Sequence, residues 1–178
     1  MKILTICPSL RNGSLNRKLL KIASTIVASN GASVEHVELK DLDMPLYSQD
    51  IEEKAIPSNV LTLKSKMDNA DAIIISSPEY NFSVPGVLKN AVDWTSRTKP
   101  QPYKGKQILL LSASPSMVGG NRGLWSLRMP LEALGAHVYP EMFSLSIAHE
   151  AFDQKDMLKD EKLYKDLERI VKSFIEYA

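Results

Sequence analysis

Polar side chains that could bind a ligand or take part in chemistry follow the first apolar run of the chain. The stretch CPSLRNGSLNRKLL (7–20) sets hydroxyl, amide and guanidinium groups between a strand-like segment and a helical pattern: Ser9, Arg11, Asn12, Ser14 and Asn16. A helix N-terminus presents free backbone N–H groups, and an arginine fork matches phosphate oxygens. The stretch predicts an anion site, with an ordinary turn capped by Ser14 and a solvated Arg11 as the alternative. It lacks the G-x-G-x-x-G and G-x-x-x-x-G-K-[ST] patterns of dinucleotide folds and P-loop NTPases.

A second polar stretch, SSPEYNFSVPGVLKNAVDW (76–94), follows another apolar run. Pro78 and Pro85 bracket a stiff loop that contains Glu79, Tyr80 and Asn81. A flat heteroaromatic ring needs an apolar face, with backbone donors and acceptors at its edge. This loop predicts such a ring site. The alternative is that Tyr80 packs at the rim of the fold and that Glu79 is a solvated charge.

The third stretch, SASPSMVGGNRGLWSLR (112–128), carries a glycine pair and two hydroxyl groups. Gly119 and Gly120 permit a positive φ or a close backbone approach before the next helix. Ser114 and Ser116 place hydroxyl groups at the edge of the same crevice. Taken alone, this stretch is also typical of a flexible connection.

Acid–base and metal-binding side chains are not grouped in these stretches. We expect the three histidines, His36, His137 and His149, to be structural or exposed. The one cysteine, Cys7, ends the first apolar run and is predicted to be packed and inert. A single cysteine excludes a disulfide framework and a multi-cysteine metal site, and it suits a reducing cytoplasm.

Charge and hydropathy exclude several classes of partner. A formal net charge of +1 over 178 residues gives no field directed at nucleic acid or an anionic membrane. The start of the chain, MKILTICPSL, is too soon interrupted by proline to be a signal peptide. No apolar stretch approaches the roughly 20 residues of a membrane span. We therefore expect a cytoplasmic protein that acts on small molecules.

The elements that must position these loops alternate along the chain. Continuous apolar runs at 2–7, 72–77 and 107–112 predict buried parallel strands, with weaker strands at 33–39 and 138–143. Five helical patterns lie between or after them, and the last is long and charged. This alternation predicts an α/β fold in one domain, residues 1–178, with helices on both faces of a parallel sheet. Ligands of such folds bind beyond the carboxyl ends of the strands, where all three stretches lie.

Together, the three stretches resemble the NAD(P)H-dependent FMN reductase family, which includes quinone, azo and chromate reductases. PSLRNGSLNRKL resembles the family's G-S-x-R-x-x-S-x-N phosphate loop. SPEYNFSVPGVLKNAVDW resembles its flavin loop and the helix that follows, and the glycine pair with LEALGA resembles its fourth unit. The similar segments occur in the family's order and cover most of the chain.

The resemblance implies a flavodoxin-like three-layer sandwich, with a five-stranded parallel sheet in the order 2-1-3-4-5. It also implies a tightly bound FMN and a homodimer or homotetramer, with Trp125 and Met129 as a predicted apolar interface patch. Members pass electrons from NADPH or NADH to quinones, free flavin, azo compounds or metal oxyanions, and we expect ping-pong kinetics. No catalytic side chain and no metal are expected, because hydride transfer is the cofactor's own chemistry.

Carried over to this sequence, the family's phosphate ligands are Ser9, Arg11, Ser14, Leu15 and Asn16. The residues implied to line the flavin ring are Pro78, Glu79, Tyr80, Asn81 and Ser114.

Three residues depart from the family pattern. Pro8 and Ser116 stand where glycine is usual, and Pro130 interrupts the fourth helical pattern and is expected to kink it. These changes affect the expected acceptor pocket more than the flavin site. A flavodoxin-type electron carrier and a flavin-loaded regulatory protein remain the alternatives, and the near-neutral charge counts against the carrier.

Overall fold

A computed structural model describes all 178 residues as alternating strands and helices. The strands are β1 (Lys2–Cys7), β2 (Ser33–Glu38), β3 (Ala72–Ser76), β4 (Gln107–Ala113), β5 (His137–Val138) and β6 (Phe143–Leu145). The helices are α1 (Leu15–Ser29), α2 (Gln49–Glu52), α3 (Ser58–Asp68), α4 (Gly86–Ser96), α5 (Asn121–Ala133), α6 (Ala148–Ala151) and α7 (Glu161–Tyr177). None of these helices is long and apolar enough to cross a membrane.

The strands form one parallel sheet in the order β2-β1-β3-β4-β5, with β6 also paired to β4. This is the flavodoxin-like order, and it confirms the predicted fold class. In the register, Ile6 lies beside Ile75, and Ser76 lies beside Leu111. The loops that follow β1, β3 and β4 therefore leave the sheet side by side at its carboxyl edge.

The sheet is buried on both faces, as its continuous apolar runs predict. Side chains alternate between two cores, so that Ile3 and Leu109 face α1 and α7, whereas Leu4 and Ile108 face α3, α4 and α5. Helix α7 contributes Phe174, which is fully buried, to the first core. Both cores hold the carboxyl edge rigidly and leave only loops free to meet a ligand.

The last predicted strand differs from the structure. The sequence predicts one strand over 138–143, but β4 pairs with two short ones, through Ile108 with Val138 and Leu111 with Phe143. Between these two pairs β4 runs from residue 108 to 111, whereas its partner runs from 138 to 143. The partner therefore has two extra residues and must bulge outward between the pairs. Pro140 lies in this bulge and has no N–H to donate to a neighbouring strand.

The segment between β2 and α3, which contains α2, is docked on α4. The indole of the fully buried Trp94 donates to the carbonyl of Pro45 at 2.7 Å, and the Asn90 amide donates to the same carbonyl at 2.9 Å. The backbone N–H of Tyr47 donates in turn to Asn90 Oδ1 at 2.8 Å. This segment is therefore held against α4, and Trp94 packs in the core.

Candidate functional site

The loop between β1 and α1 ends in a side-chain cap. Ser14 has extended backbone angles, and its Oγ accepts a hydrogen bond from the Arg17 N–H at 3.1 Å. This satisfies one of the N–H groups that the first turn of a helix leaves free. The cap fixes where α1 begins, and so fixes the direction of its positive dipole end toward the carboxyl edge.

The carbonyl and N–H groups of this loop point in different directions. The carbonyls of Ser9, Arg11 and Asn12 all accept hydrogen bonds from the Arg17 guanidinium, at 3.2, 2.9 and 3.0 Å. The N–H groups of residues 10–16 donate to no protein acceptor. A run of free amides beside a helix N-terminus is an anion-binding arrangement. The structure leaves these donors free, and an anion bound to them stays a prediction. The sequence does not single out Arg17, because it falls in an ordinary helical pattern.

Arg17 is itself held by Glu38 at the end of β2. The guanidinium Nε and Nη2 each lie 2.7 Å from a carboxylate oxygen of Glu38, whose side chain is only 10% exposed. Burial alone raises the pKa of Glu38, but hydrogen bonds from Arg17 and His36 lower it below its usual value. The same pairing raises the pKa of Arg17. Burial likewise raises the pKa of the nearby Cys7 thiol, which therefore stays protonated and inert.

The predicted anion-binding residues occupy three kinds of position. Ser9 and Ser14 are buried, and the Ser9 hydroxyl has no hydrogen-bond partner in the protein. Arg11 is exposed, and its guanidinium makes no ion pair. Leu15 is the first residue of α1 and offers a free N–H. The loop thus presents neutral donors together with one exposed cation that has no ion-pair partner.

The Asn16 side chain is hydrogen-bonded to the ends of two strands. Its Nδ2 donates to the Ala113 carbonyl at 2.8 Å, and its Oδ1 accepts from the Ala113 N–H at 2.9 Å and from the Ser76 hydroxyl at 3.2 Å. The side chain therefore ties the first loop to the ends of β3 and β4. Its backbone N–H remains among the free amides.

The second loop forms a tight hairpin after β3. Tyr80 and Ser83 exchange both backbone hydrogen bonds, at 3.1 and 3.0 Å, across Asn81 and Phe82. Asn81 and Phe82 both have positive φ, 48° and 65°, which is the geometry of a two-residue hairpin turn. The N–H groups of Glu79, Asn81 and Phe82 have no protein acceptor. The loop therefore offers backbone donors, with the exposed rings of Tyr80 and Phe82 beside them.

Glu79 is not a solvated charge. Its side chain is 8% exposed, and its carboxylate accepts from the Arg122 guanidinium at 2.8 Å and from the Gly123 N–H at 3.1 Å. The carboxylate thus caps the N-terminus of α5, where a negative charge is favourable. A Cβ on Gly123 would lie 3.0 Å from the Cβ of Glu79, so a side chain here would push Glu79 away by a few tenths of an ångström. Arg122 also lies over the Phe82 ring, 4.0 Å from its centroid.

The third loop approaches the sheet through its glycine pair. Gly119 and Gly120 have φ values of +62° and +87°. A Cβ on Gly119 would lie 2.9 Å from the backbone of β6, and one on Gly120 would lie 2.1 Å from Ser112 Oγ. These two glycines therefore allow the close approach that the sequence predicts. The half-buried Ser114 lies nearby, and its hydroxyl is bonded to Ser116 at 3.1 Å.

The departures from the family pattern leave this arrangement intact. Pro8 is buried at the end of β1 and precedes the free amides. Ser116 is exposed, and its N–H and hydroxyl both bond to Ser114. Helix α5 continues through Pro130 to Ala133. A group with a phosphate at one end and a flat ring at the other fits the three adjacent loops.

Comparison with known proteins identifies the family. The sequence pattern of the NADPH-dependent FMN reductases matches residues 1–150. The chain is 38% identical to an NAD(P)H-dependent FMN reductase of Pseudomonas aeruginosa over 164 residues, which cover 91% of this chain and 86% of that protein. It is 40% identical to a quinone reductase of Escherichia coli over 140 residues, 78% of this chain and 73% of the other.

A solved structure supports the same assignment. The flavoenzyme NAD(P)H:(acceptor) oxidoreductase of Paracoccus denitrificans superimposes with a TM-score of 0.83 at 31% identity, over 98% of this chain and 95% of that one. The fold, the three loops and these relatives agree. This chain belongs to the NADPH-dependent FMN reductase family of flavin-dependent NAD(P)H oxidoreductases.

Proposed function

We propose that this protein passes electrons from NADPH or NADH, through a bound FMN, to small acceptors by a ping-pong mechanism. The observation that carries the proposal is the run of free backbone N–H groups over residues 10–16, next to the N-terminus of α1. Such a run suits a phosphate group, because each amide donates without losing a protein partner. The family supplies the identity of the ligand that bears this phosphate.

The first loop would hold the FMN phosphate. The free amides, which include that of Leu15, and the hydroxyls of Ser9 and Ser14 would surround its oxygens, while Arg11 closes over them as the one unpaired cation. Asn16 would contribute its N–H, and its side chain keeps the loop attached to β4. Since charged hydrogen bonds contribute about 1.5–3 kcal/mol each, Arg11 is expected to distinguish FMN from riboflavin.

The second and third loops would hold the flavin ring. When bound, FMN supplies a ring that takes up a hydride from NAD(P)H and passes two electrons to the acceptor. The backbone of Pro78 to Asn81 would meet one edge of the ring, and Ser114 would lie near the other. The Glu79 carboxylate is bonded to α5, so its role is to hold this loop in place. The protein thus supplies position and backbone donors, with no side chain acting as acid or base.

The rim of the crevice suits planar apolar acceptors. Tyr80 and Phe82 are 46% and 65% exposed at the second loop, and Met117 is 79% exposed at the third. Such side chains favour a nicotinamide or a quinone, which would occupy the same place in turn, as a ping-pong mechanism requires. Free flavin, azo compounds and metal oxyanions are further candidate acceptors. The named relatives include a quinone reductase, which makes quinones the first acceptors to test.

We also propose that the protein is a homodimer or homotetramer. Trp125 and Met129 lie on α5 and are 59% and 75% exposed, a large apolar surface for one helix. Trp125→Glu should lower the sedimentation coefficient, whereas Tyr177→Glu on α7 should leave it unchanged. A wild-type protein that is monomeric at micromolar concentration and fully active would contradict this proposal.

We further propose that residues 1–178 form one FMN-binding domain that works in the cytoplasm. Helix α7 lies beyond the matched family segment, but its Leu167 and Phe174 pack in the same core as α1. The single buried cysteine suits a reducing compartment.

The decisive experiment is a visible spectrum of the purified protein, followed by anaerobic addition of NADPH. We expect flavin absorption bands, FMN as the released chromophore, and bleaching by NADPH that a quinone then reverses. Bound flavin with no steady-state NAD(P)H oxidation would instead favour a flavodoxin-type carrier. The absence of any flavin affinity would contradict the proposed function.

A further inference from the structure

The guanidinium of Arg17 uses all of its N–H donors within the protein. Its Nε and Nη2 bind the two carboxylate oxygens of Glu38, both at 2.7 Å. Its second Nη2 hydrogen points to the Ser9 carbonyl, and Nη1 reaches the carbonyls of Arg11 and Asn12. Arginine has five such donors in a rigid fork, so this side chain has none left for a ligand.

These contacts decide which way the loop's peptide groups point. A peptide unit carries its C=O and N–H on opposite sides, so a carbonyl turned toward Arg17 turns the following N–H away from it. Arg17 binds the carbonyls of residues 9, 11 and 12, and the N–H groups that follow belong to the free amides at 10–16. The side chain that binds the carbonyls therefore orients the donors that a phosphate would use.

Arg17 is supported by side chains of β2 and β1 on the face of the sheet that α1 covers. Glu38 ends β2 and lies beside Cys7 of β1 in the register. The His36 ring lies 2.8 Å from Glu38 Oε1 and 3.0 Å from the hydroxyl of the buried Thr5. Because Glu38 is held by the sheet, Arg17 has a fixed anchor, and the loop's carbonyls have a fixed position.

We propose that Arg17 is a positioning residue for the phosphate of FMN: with Glu38 as its anchor, it orients the free amides of residues 10–16 without touching the ligand. This inference rests on the proposed function, because it assumes that FMN is the ligand of the first loop. It gives different roles to Arg11, in the loop, and to Arg17, in the first turn of α1. Arg11 supplies charge to the phosphate, and Arg17 supplies geometry, its own charge being balanced by Glu38.

The experiment compares FMN with riboflavin, which lacks the phosphate. The full-length protein is freed of flavin and titrated with each ligand, and binding is followed by quenching of flavin fluorescence. Arg17→Lys keeps the charge, but a single ammonium group cannot span the carboxylate and three carbonyls. We expect it to weaken FMN binding by about tenfold or more and riboflavin binding by less than about threefold.

Two further variants control for charge and for folding. Arg169→Lys is the matched substitution on α7, at an arginine that pairs with Glu141, and it should change neither affinity. Glu38→Gln keeps Arg17 but replaces two charged acceptors by one neutral acceptor and an NH2 group, so it should weaken the anchor and shift the FMN-to-riboflavin ratio in the same direction. Thermal unfolding of each variant shows whether it is folded, and Glu38→Gln carries the test if Arg17→Lys is not.

The outcomes distinguish a failure of the proposed role of Arg17 from a failure of the proposed FMN-dependent function. If the wild type binds riboflavin as tightly as FMN, the proposed phosphate site is wrong, and Arg17 has no phosphate to serve. If the wild type prefers FMN but Arg17→Lys weakens both ligands equally, Arg17 is a structural residue only, and the inference fails alone. A selective loss for FMN in folded Arg17→Lys or Glu38→Gln supports it.

Discussion

Replacing Gly120 by alanine tests the packing that places the third loop. The new Cβ would lie 2.1 Å from Ser112 Oγ and 3.1 Å from Ser112 Cβ. Both atoms belong to a fully buried strand residue, so the loop must move away from β4. The positive φ of Gly120, +87°, adds a separate cost, because an L-residue in this region is disfavoured by about 1–2 kcal/mol.

The expected loss of unfolding free energy has a conformational part and a steric part, which can be measured separately. Gly31 has nearly the same φ, +82°, but nothing lies within 4 Å of its Cβ position. Gly31→Ala should therefore lower the free energy of unfolding by the conformational part alone, about 1–2 kcal/mol. Gly120→Ala should lower it by about 2–5 kcal/mol, since forcing extra atoms into a packed region typically costs a further 1–3 kcal/mol.

Ser112→Ala is expected to restore part of the stability that Gly120→Ala loses. The Ser112 hydroxyl is buried and has no hydrogen-bond partner, so its removal should be neutral or stabilising by itself. In Ser112→Ala/Gly120→Ala the 2.1 Å contact disappears and the 3.1 Å contact remains. The double variant should recover at least about 1 kcal/mol relative to Gly120→Ala, as a coupling energy between the two sites.

The assay is urea unfolding of the flavin-free protein, followed by circular dichroism and compared at equal m values. A Gly120→Ala variant no less stable than Gly31→Ala would refute the steric argument. Strict additivity of Ser112→Ala and Gly120→Ala would refute the assignment of the clash to Ser112.

Further predictions concern the first loop. Arg11→Ala should weaken FMN binding by about 10- to 100-fold and riboflavin binding little, and equal losses in the two titrations would contradict its phosphate role. Asn16→Leu should lower the free energy of unfolding by about 2–4 kcal/mol, because the buried Ala113 peptide loses both partners, whereas an unchanged urea midpoint would contradict that role. The lowered pKa of Glu38 should stabilise the fold above the ordinary glutamate pKa, with the contribution lost as the pH falls through the folded value. Glu38→Gln should therefore flatten the acid side of the stability–pH curve, and a curve parallel to that of the wild type would contradict this coupling.

Local sequence patterns were sufficient for the elements and their order. The apolar runs at β1, β3 and β4 have no polar interruption, so they can only be stable where both faces are covered. Ser14 supplies the N-cap of α1, and it precedes the helix in the sequence. The glycine pair indicates backbone with positive φ, which residues with a Cβ avoid. The division of the last strand at Pro140 was missed, because a two-residue strand has too few residues to show a period.

The resemblance supplied the identity of the three loops, and the fold brought them together. Pro78 to Asn81, Ser114 and the phosphate loop follow strands that are neighbours in the sheet, so their nearness follows from strand order. The roles of individual side chains did not follow in this way. The alternative of a solvated Glu79 is wrong, because its carboxylate caps α5, which begins more than forty residues later, whereas a place for Glu79 beside the ring stays a prediction.

The sequence by itself determined where the main strands and helices and the loops between them occur, because these depend on neighbouring residues and their periodicity. Only the tertiary structure decided that Asn16 bonds to Ala113, that Glu38 anchors Arg17, and that Gly120 packs on Ser112. Each of these contacts joins segments that meet only once the sheet is assembled. Their energies depend on register and on distances of a few ångströms, which no local pattern encodes.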